Sequence, residues 1–502
     1  MTLLEQYKEK QKKISYLGHA ASLMNWDKET TTPEGGMEKL AEAINYFQTE
    51  IFKLSTSDET FDLVCKLAEP EEFNKLDDVM QFDIKRNKRD LEKMRKLPQE
   101  VFEEYVKATT KASIVWPSAK RESDFSKFEK ELEAVIEAVK KYHSYVNPDK
   151  QVYDALIDQF EEGMTQETID RVFGDLRKEL VPLVEEVTSR KAPDHSKFRF
   201  KVPAHVQDKV CRFLVEYMGM DMTRIAFGET EHPFTTNMNL DDVRITNHFK
   251  EDNFIEPLFS AIHEGGHAIF EQNIDHKYEG TEGGAIPYMG LHESQSRFYE
   301  NILGRNINFW KPIWPQMTEM IPELKDVTLE EFYQEINSVE KSFIRTEADE
   351  LTYCLHVILR YEIEREIFKG NVEVKDLPAL WNRKMEELLS ITPKNDAEGV
   401  LQDMHWSDGS FGYFPSYLLG SIYDGMFLEA IEKDLGSIDD ILAAGDIKKI
   451  TAWLKENIHQ YGSTRISSEV LKTVCGKELT AEPLIKYFKK KYSAYLLGRD
   501  NL

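Results

Sequence analysis

Cysteine is scarce. The 502 residues hold four, Cys65, Cys211, Cys354 and Cys475, and none forms a C-x-x-C arrangement. This argues against a disulfide scaffold and a thiolate-built metal site, and fits free thiols in a reducing compartment. Long apolar runs are missing too. No stretch of about 18 apolar residues could cross a bilayer, and the opening Met1–Lys13 has no apolar signal core. A cytoplasmic protein without a membrane partner is expected. Positive charge is the third shortage: 64 Lys and Arg stand against 90 Asp and Glu, a formal net charge of −26. Without a basic run to neutralise phosphates, nucleic acid is not an expected partner. The acidity reads as a solvated surface that keeps the chain soluble. No internal repeat of fixed period is present.

What is present is helical patterning. Apolar positions recur at three- and four-residue spacing near 2–23, 37–54, 76–94, 123–144 and 165–189, amid many Lys and Glu. Thr32-Pro33-Glu34-Gly35-Gly36, Leu97-Pro98, Trp116-Pro117 and Asn147-Pro148-Asp149 read as breaks. This first part, roughly 1–200, reads as a helical wall without a catalytic constellation. Trp26 and Asp27 suit packing and capping. Between about 221 and 250, short alternating runs rich in Thr and Phe predict two or three strands. Helices resume from Leu291. Ile344, Ala348, Leu351, Leu355 and Ile358 mark an amphipathic helix over 343–366, and 425–498 is again helical. The expectation is a mainly α single domain, 1–502, with one small β-sheet and a catalytic half over roughly 201–502.

The chemistry concentrates in Phe259–Phe270, where His263-Glu264-Gly265-Gly266-His267 spells H-E-x-x-H inside an apolar frame. On a helix, His263 and His267 leave the same face one turn apart and suit one Zn²⁺, with Glu264 placed to act on a water. Gly265 and Gly266 each weaken the helix by about 1 kcal/mol, tolerable if another segment packs closely there. A catalytic site needs a third protein ligand. Glu293 in Leu291-His292-Glu293-Ser294-Gln295, on the next helix, is the best candidate. Glu271, Asp275, Glu279 and Glu282 are nearer competitors. His292 reads as a support or substrate contact. Glu264 would accept the water proton and pass it to the leaving amine. His405, Tyr413 and Tyr417, from two C-terminal Gly- and aromatic-rich stretches, are the candidate oxyanion donors.

Seven ordered motifs carry a family resemblance: His232-Pro233-Phe234, Asp242-Val243-Arg244-Ile245-Thr246, the H-E-x-x-H, His292-Glu293-Ser294-Gln295, Ile344-Arg345-Thr346-Glu347-Ala348-Asp349, Gly399–Trp406 and Gly412–Gly420. In these the chain resembles the carboxypeptidase Taq metallocarboxypeptidases over nearly its full length. The resemblance implies a helical fold similar to neurolysin and angiotensin-converting enzyme, with a deep central groove. It implies His263, His267 and Glu293 as zinc ligands and Glu264 as general base. It further implies a homodimer that releases single residues from peptide C-termini with broad preference. Such an enzyme must recognise a free carboxylate, and a bidentate arginine suits that task. Arg345 is favoured over Arg244. Two alternatives stand beside these: that Arg345 only pairs with Asp349 at i+4 on its own helix, and that Asp242 and Arg244 only brace the sheet. His232 is a further substrate donor candidate. Co²⁺ and Mn²⁺ also accept such a ligand set. The rival activity is a zinc oligopeptidase or dipeptidyl carboxypeptidase of the same fold. A helical binding protein with a vestigial metal site is a third reading, which retention of Glu264 disfavours.

Overall fold

Several helices begin where the chain places a capping side chain or a proline. In the computed structural model, which describes residues 1–190, 194–286 and 288–499, Thr2 and Glu5 form a reciprocal capping box at Leu3–Thr30. Ser57 caps Asp58–Leu67, Asp77 caps Asp78–Arg95, and Thr165 caps Gln166–Thr188. Pro98 precedes Gln99–Glu122. Asp27 accepts hydrogen bonds from the Thr31 and Thr32 hydroxyls where the first helix ends. Apart from one three-stranded sheet, the regular structure of the described residues is helical. None of their helices is long and apolar enough to cross a membrane.

Two local expectations fail. The proposed break at Trp116-Pro117 is absent, because Gln99–Glu122 runs straight through Pro117 and stops at Ser123, in the left-handed region at φ 53°. Tertiary anchors compensate for the missing amide hydrogen bond: the Ser113 hydroxyl donates to the Ser407 carbonyl, and Lys120 Nζ to the Gln402 carbonyl at 2.8 Å. Likewise, no helix spans 343–366. Arg345–Glu347 is a single 3₁₀ turn, and the helix runs Glu350–Lys369. Asp349 is its N-cap, accepting from the amides of Leu351 and Thr352. An i+4 pair between Arg345 and Asp349 on one helix is therefore ruled out. That helix is also not amphipathic: Leu351 to Arg360 are all buried, so every face meets protein.

The three strands are β1 (Ile225–Glu229), β2 (Thr235–Asn239) and β3 (Asp242–Asn247). The order is β1-β3-β2, with β3 parallel to β1 and antiparallel to β2. β3 and the edge strand β2 both pack on the helix Ile255–Gln272, which carries the H-E-x-x-H. That motif helix lies in one continuous apolar core running from Ala112 to Leu496. A smaller, separate core holds the N-terminal helices together through Tyr7, Val64, Leu67 and Ile84. After the motif helix come two 3₁₀ turns, His276–Tyr278 and, in the glycine-rich stretch from Glu279 on, Glu282–Gly284. Pro287, which ends that stretch, lies outside the described residues.

Candidate active site

Close approach of two helices builds the site. The motif helix packs against Met289–Arg297, the helix that carries Glu293. Gly266 permits this contact: a Cβ there would meet the Gln295 carbonyl oxygen and the Ser296 Cα at 2.7 Å. The glycine's helix penalty is thus offset by backbone-to-backbone packing that no larger residue allows. Gly420, on the helix Phe414–Leu435, does the same on the other side, where a Cβ would lie 2.9 Å from the Ser294 amide nitrogen.

At this contact His263, His267 and Glu293 converge, their donor atoms all within 4.8 Å of one another. Each histidine directs Nε2 at the same carboxylate oxygen, Glu293 Oε2, at 3.9 and 3.6 Å. The other oxygen, Oε1, accepts from Arg297 Nε at 2.6 Å. Arg297 in turn stacks on the Tyr353 ring at 4.0 Å. Behind His263, Nδ1 hydrogen-bonds Glu300 at 2.8 Å, which leaves Nε2 facing the site. Glu300 sits in a π-helical segment, Phe298–Leu303, that continues the Glu293 helix. Such segments often mark functional positions. Behind His267, the His292 ring stacks in parallel at 4.2 Å. His292 Nε2 meets Glu271 at 3.1 Å, and Glu271 accepts from Asn237 of β2 at 2.6 Å.

The electrostatics fit a cation. Burial, and then the positive charge of neighbouring groups, holds His267 well below its usual pKa, so its imidazole is neutral. Burial works against charge on His263 as well, but the Glu300 hydrogen bond and the charge of Glu293 outweigh it and raise the group to about 9. A buried site with this surplus of carboxylate charge favours a positive ion. Two imidazoles and one carboxylate are a donor set of a catalytic metal site with a position left open.

Glu264, one residue from His263, has its carboxyl Oε2 fixed by the Thr235 hydroxyl at 2.5 Å, and the same hydroxyl donates to the Glu264 carbonyl at 3.0 Å. Burial raises its pKa, with His263 and the Thr235 hydrogen bond pulling the other way. The edge strand thus fixes one oxygen of the acid.

The C-terminal aromatic cluster lies beside this group. His405 Nε2 meets the Tyr417 hydroxyl at 3.3 Å, and the Tyr413 and Tyr417 rings contact edge to face at 5.1 Å. Burial pushes Tyr413 up to about 12, with the charge of Glu293 adding to it. Burial likewise drives His405 down to about 4, so it is neutral. Arg345 joins the same cluster. Its Nε and Nη2 donate to Asp403 at 3.1 and 2.9 Å, Nη1 donates to the Tyr353 hydroxyl, and the guanidinium lies 4.9 Å from the Tyr417 ring centroid. Asp403 also binds the fully buried Arg360 at 2.6 Å.

The remaining candidates lie apart from this cluster. Arg244 forks onto Asp242 with bonds of 2.8 and 2.7 Å and covers the Trp26 ring, fastening the first helix to the sheet. His232 is exposed, and its carbonyl accepts from the Thr230 hydroxyl. Glu271 is committed to His292 and Asn237. Among the competing acids, Asp275 caps the turn at His276. Sequence reasoning missed Glu300, Thr235, Arg297 and Asp403. Their positions become functional only through contacts across the fold, although i+4 spacing places Arg297 on the face of Glu293.

The match to known proteins spans the molecule. Residues 6–492 fit the family described as carboxypeptidase Taq (M32) metallopeptidase. The chain is 42% identical to carboxypeptidase 1 of Bacillus subtilis over 489 residues, 97% of each protein. It is 34% identical to thermostable carboxypeptidase 1 of Pyrococcus furiosus, covering 97% of this chain and 98% of that one. The crystal structure of the M32 carboxypeptidase from Deinococcus radiodurans superposes with a TM-score of 0.95 at 31% identity, covering 99% of both chains. The chain therefore belongs to the carboxypeptidase Taq (M32) metallopeptidases and is a metallocarboxypeptidase.

Proposed function

We propose that the enzyme is a zinc carboxypeptidase that removes single residues from peptide C-termini with broad side-chain preference, held by His263, His267 and Glu293 and driven by Glu264 as base. The observation that carries the reading is the pair of Nε2 atoms aimed at one Glu293 oxygen, next to a carboxylate fixed by Thr235. A divalent cation held there supplies a Lewis acid to water and to the scissile carbonyl. Co²⁺ or Mn²⁺ suits the same donors.

The chain's own groups then divide the work. Glu264 takes a proton from the attacking water, its raised pKa suiting a group that must also give the proton up. It delivers that proton to the departing amide nitrogen. Tyr413, Tyr417 and His405 offer donors for the developing oxyanion. Arg345, held rigid by Asp403 and Tyr353, has N–H groups left to meet the substrate's terminal carboxylate. His292 supports His267 by stacking. Arg244 and His232 are assigned to the wall of the substrate groove. The four cysteines are free, which supports a cytoplasmic location, and the family resemblance supports a homodimer.

An N-blocked peptide, with its C-terminus free or amidated, tests the reading by mass spectrometry of the products with and without a chelator. Stepwise loss of single residues from the free acid alone, stopped by the chelator, is expected. Release of dipeptides, or internal cleavage of both peptides, would move the enzyme to the oligopeptidase or dipeptidyl carboxypeptidase reading. Ultracentrifugation tests the dimer.

A further inference from the structure

A cavity of about 260 Å³ opens where the helix Phe414–Leu435 meets the helix Glu482–Arg499, and its lining residue Arg305 lies 3.7 Å from Glu300, the carboxylate behind His263. Ile302, Ile307, Leu428 and Ile438 give it an apolar lining. It is smaller than the roughly 300–1,000 Å³ of sites for drug-sized ligands, so it suits one small metabolite.

The charged groups at its border specify the ligand further. Most are already engaged. Lys491 pairs with the buried Glu350, and Glu429 with Lys477 at 2.5 Å. Asp439 accepts from Asn306 at 2.6 Å and lies 3.8 Å from Lys490. Arg305 donates to the Ile336 carbonyl and to Asn301. Two charged groups remain: Lys486 and Glu432, both exposed, have no side-chain ion pair or hydrogen bond among the described residues. One spare ammonium and one spare carboxylate beside an apolar lining match a zwitterion with an apolar tail. A simple carboxylate or a simple amine leaves one of the two unmatched.

We propose that this cavity is a second binding site, for a free α-amino acid with an aliphatic or aromatic side chain. Its carboxylate meets Lys486, its ammonium meets Glu432, and its side chain lies on Leu428 and Ile438. The assignment stands on the cavity's own shape and charges, and does not depend on which residues carry out catalysis.

Crystals of the metal-loaded enzyme grown with L-selenomethionine locate the ligand through the anomalous signal of selenium, whatever also binds in the active site. A peak within the cavity is expected, and it should vanish in Leu428→Trp, which fills the space. In solution, calorimetry with L-leucine should show a binding event that weakens at least tenfold in Lys486→Glu and returns in the charge-swapped Lys486→Glu/Glu432→Lys chain. At the same event, 4-methylpentanoic acid and 3-methylbutylamine, each lacking one charge, should bind at least tenfold more weakly than L-leucine. An empty cavity in crystals whose active site holds the amino acid would overturn the proposal. So would equal binding of L-leucine and 4-methylpentanoic acid, or an unchanged isotherm in Lys486→Glu.

Discussion

The first 95 residues and the remainder of the chain solve the problem of burial differently. The N-terminal arm, from Leu3–Thr30 to Asp78–Arg95, builds its own small core around Tyr7, Leu63, Val64 and Ile84, and leaves Tyr16, Tyr46 and Phe52 exposed. The body is built mainly around one large core beside a small cluster of Leu240, Ile274 and Tyr278, and its motif helix is buried from Ala261 to Gln272 save at His263. The two regions meet through small apolar contacts, Trp26 on Phe234 at 5.9 Å and Val79 on Leu240, Ile274 and Tyr278, and through polar clasps. Tyr7 donates to Asp83 at 2.7 Å, and Asp83 accepts from the Glu282 amide at 2.8 Å. Arg86 bridges Glu162 at 2.7 Å and the Tyr288 hydroxyl at 2.9 Å. The site's geometry sits in the large core, while the arm beside it rests on a smaller one, so local opening of the arm is expected to cost less than opening of the body.

The largest test of this division is chemical. Glu264→Gln keeps the shape of the side chain but not its basicity, so kcat/KM on an N-blocked free-acid peptide should fall by about 10²–10⁴ with the melting temperature unchanged. Retained activity would remove Glu264 from the reaction. Next comes Asp403→Asn. Burial opposes the charge on Asp403, but Arg360 and then Arg345 outweigh it and hold the carboxyl well below the usual range. The amide leaves two buried guanidiniums without their counter-charge, at a cost of about 3–5 kcal/mol, read from urea unfolding of the body. A loss comparable to that of a surface residue would mean the pair is solvated.

A third effect, smaller again, depends on pH. Glu364 accepts from Tyr153, Trp406 and the Gly412 amide, and so ties the Glu350–Lys369 helix to the loop bearing His405. Burial raises it to about 7, against those three hydrogen bonds. Between about pH 4.5, its unfolded value, and pH 7, the folded chain binds more protons than the unfolded one. Stability contributed by this group therefore falls as pH rises through that window, by up to about 1.4 kcal/mol per pH unit. Glu364→Gln should remove this slope. Urea midpoints at pH 5 and pH 7 should then differ less in the variant than in the parent, and identical pH dependence would count against a protonated carboxyl there.

What the sequence revealed divides along similar lines. That His263 and His267 share one helix face was legible from their i, i+4 spacing, and Glu293, on the next helix, does come within 4.8 Å of both. The strands between 225 and 247 were legible because alternation and turn residues are local signals. The helix Gln99–Glu122 was misread because Pro117 is a strong local signal, and its compensation comes from residues nearly 300 positions away. The alternative that paired Arg345 with Asp349 by spacing fails, because Asp349 caps the helix and the partner is Asp403, a pairing that only the folded chain creates. Glu300 had no signal at all, since its meaning depends on a π-helical register that side-chain pattern does not encode.

The smallest effect sharpens the contrast between arm and body. Tyr7→Phe removes the hydroxyl that satisfies Asp83 Oδ2 and leaves that carboxylate only the Glu282 amide and Asn87 Nδ2, both of which donate to Oδ1. A buried acceptor that loses its donor costs about 1–3 kcal/mol. The lost hydrogen bond lies between helices of the arm, so the cost should fall on local opening more than on global unfolding. Hydrogen exchange should accelerate in Leu3–Thr30 and Asp78–Arg95, while protection of the motif helix and kcat/KM stay at parental values. If exchange rose equally in Ile255–Gln272, the two cores would be opening as one cooperative unit, and the clasps would belong to the body's stability after all.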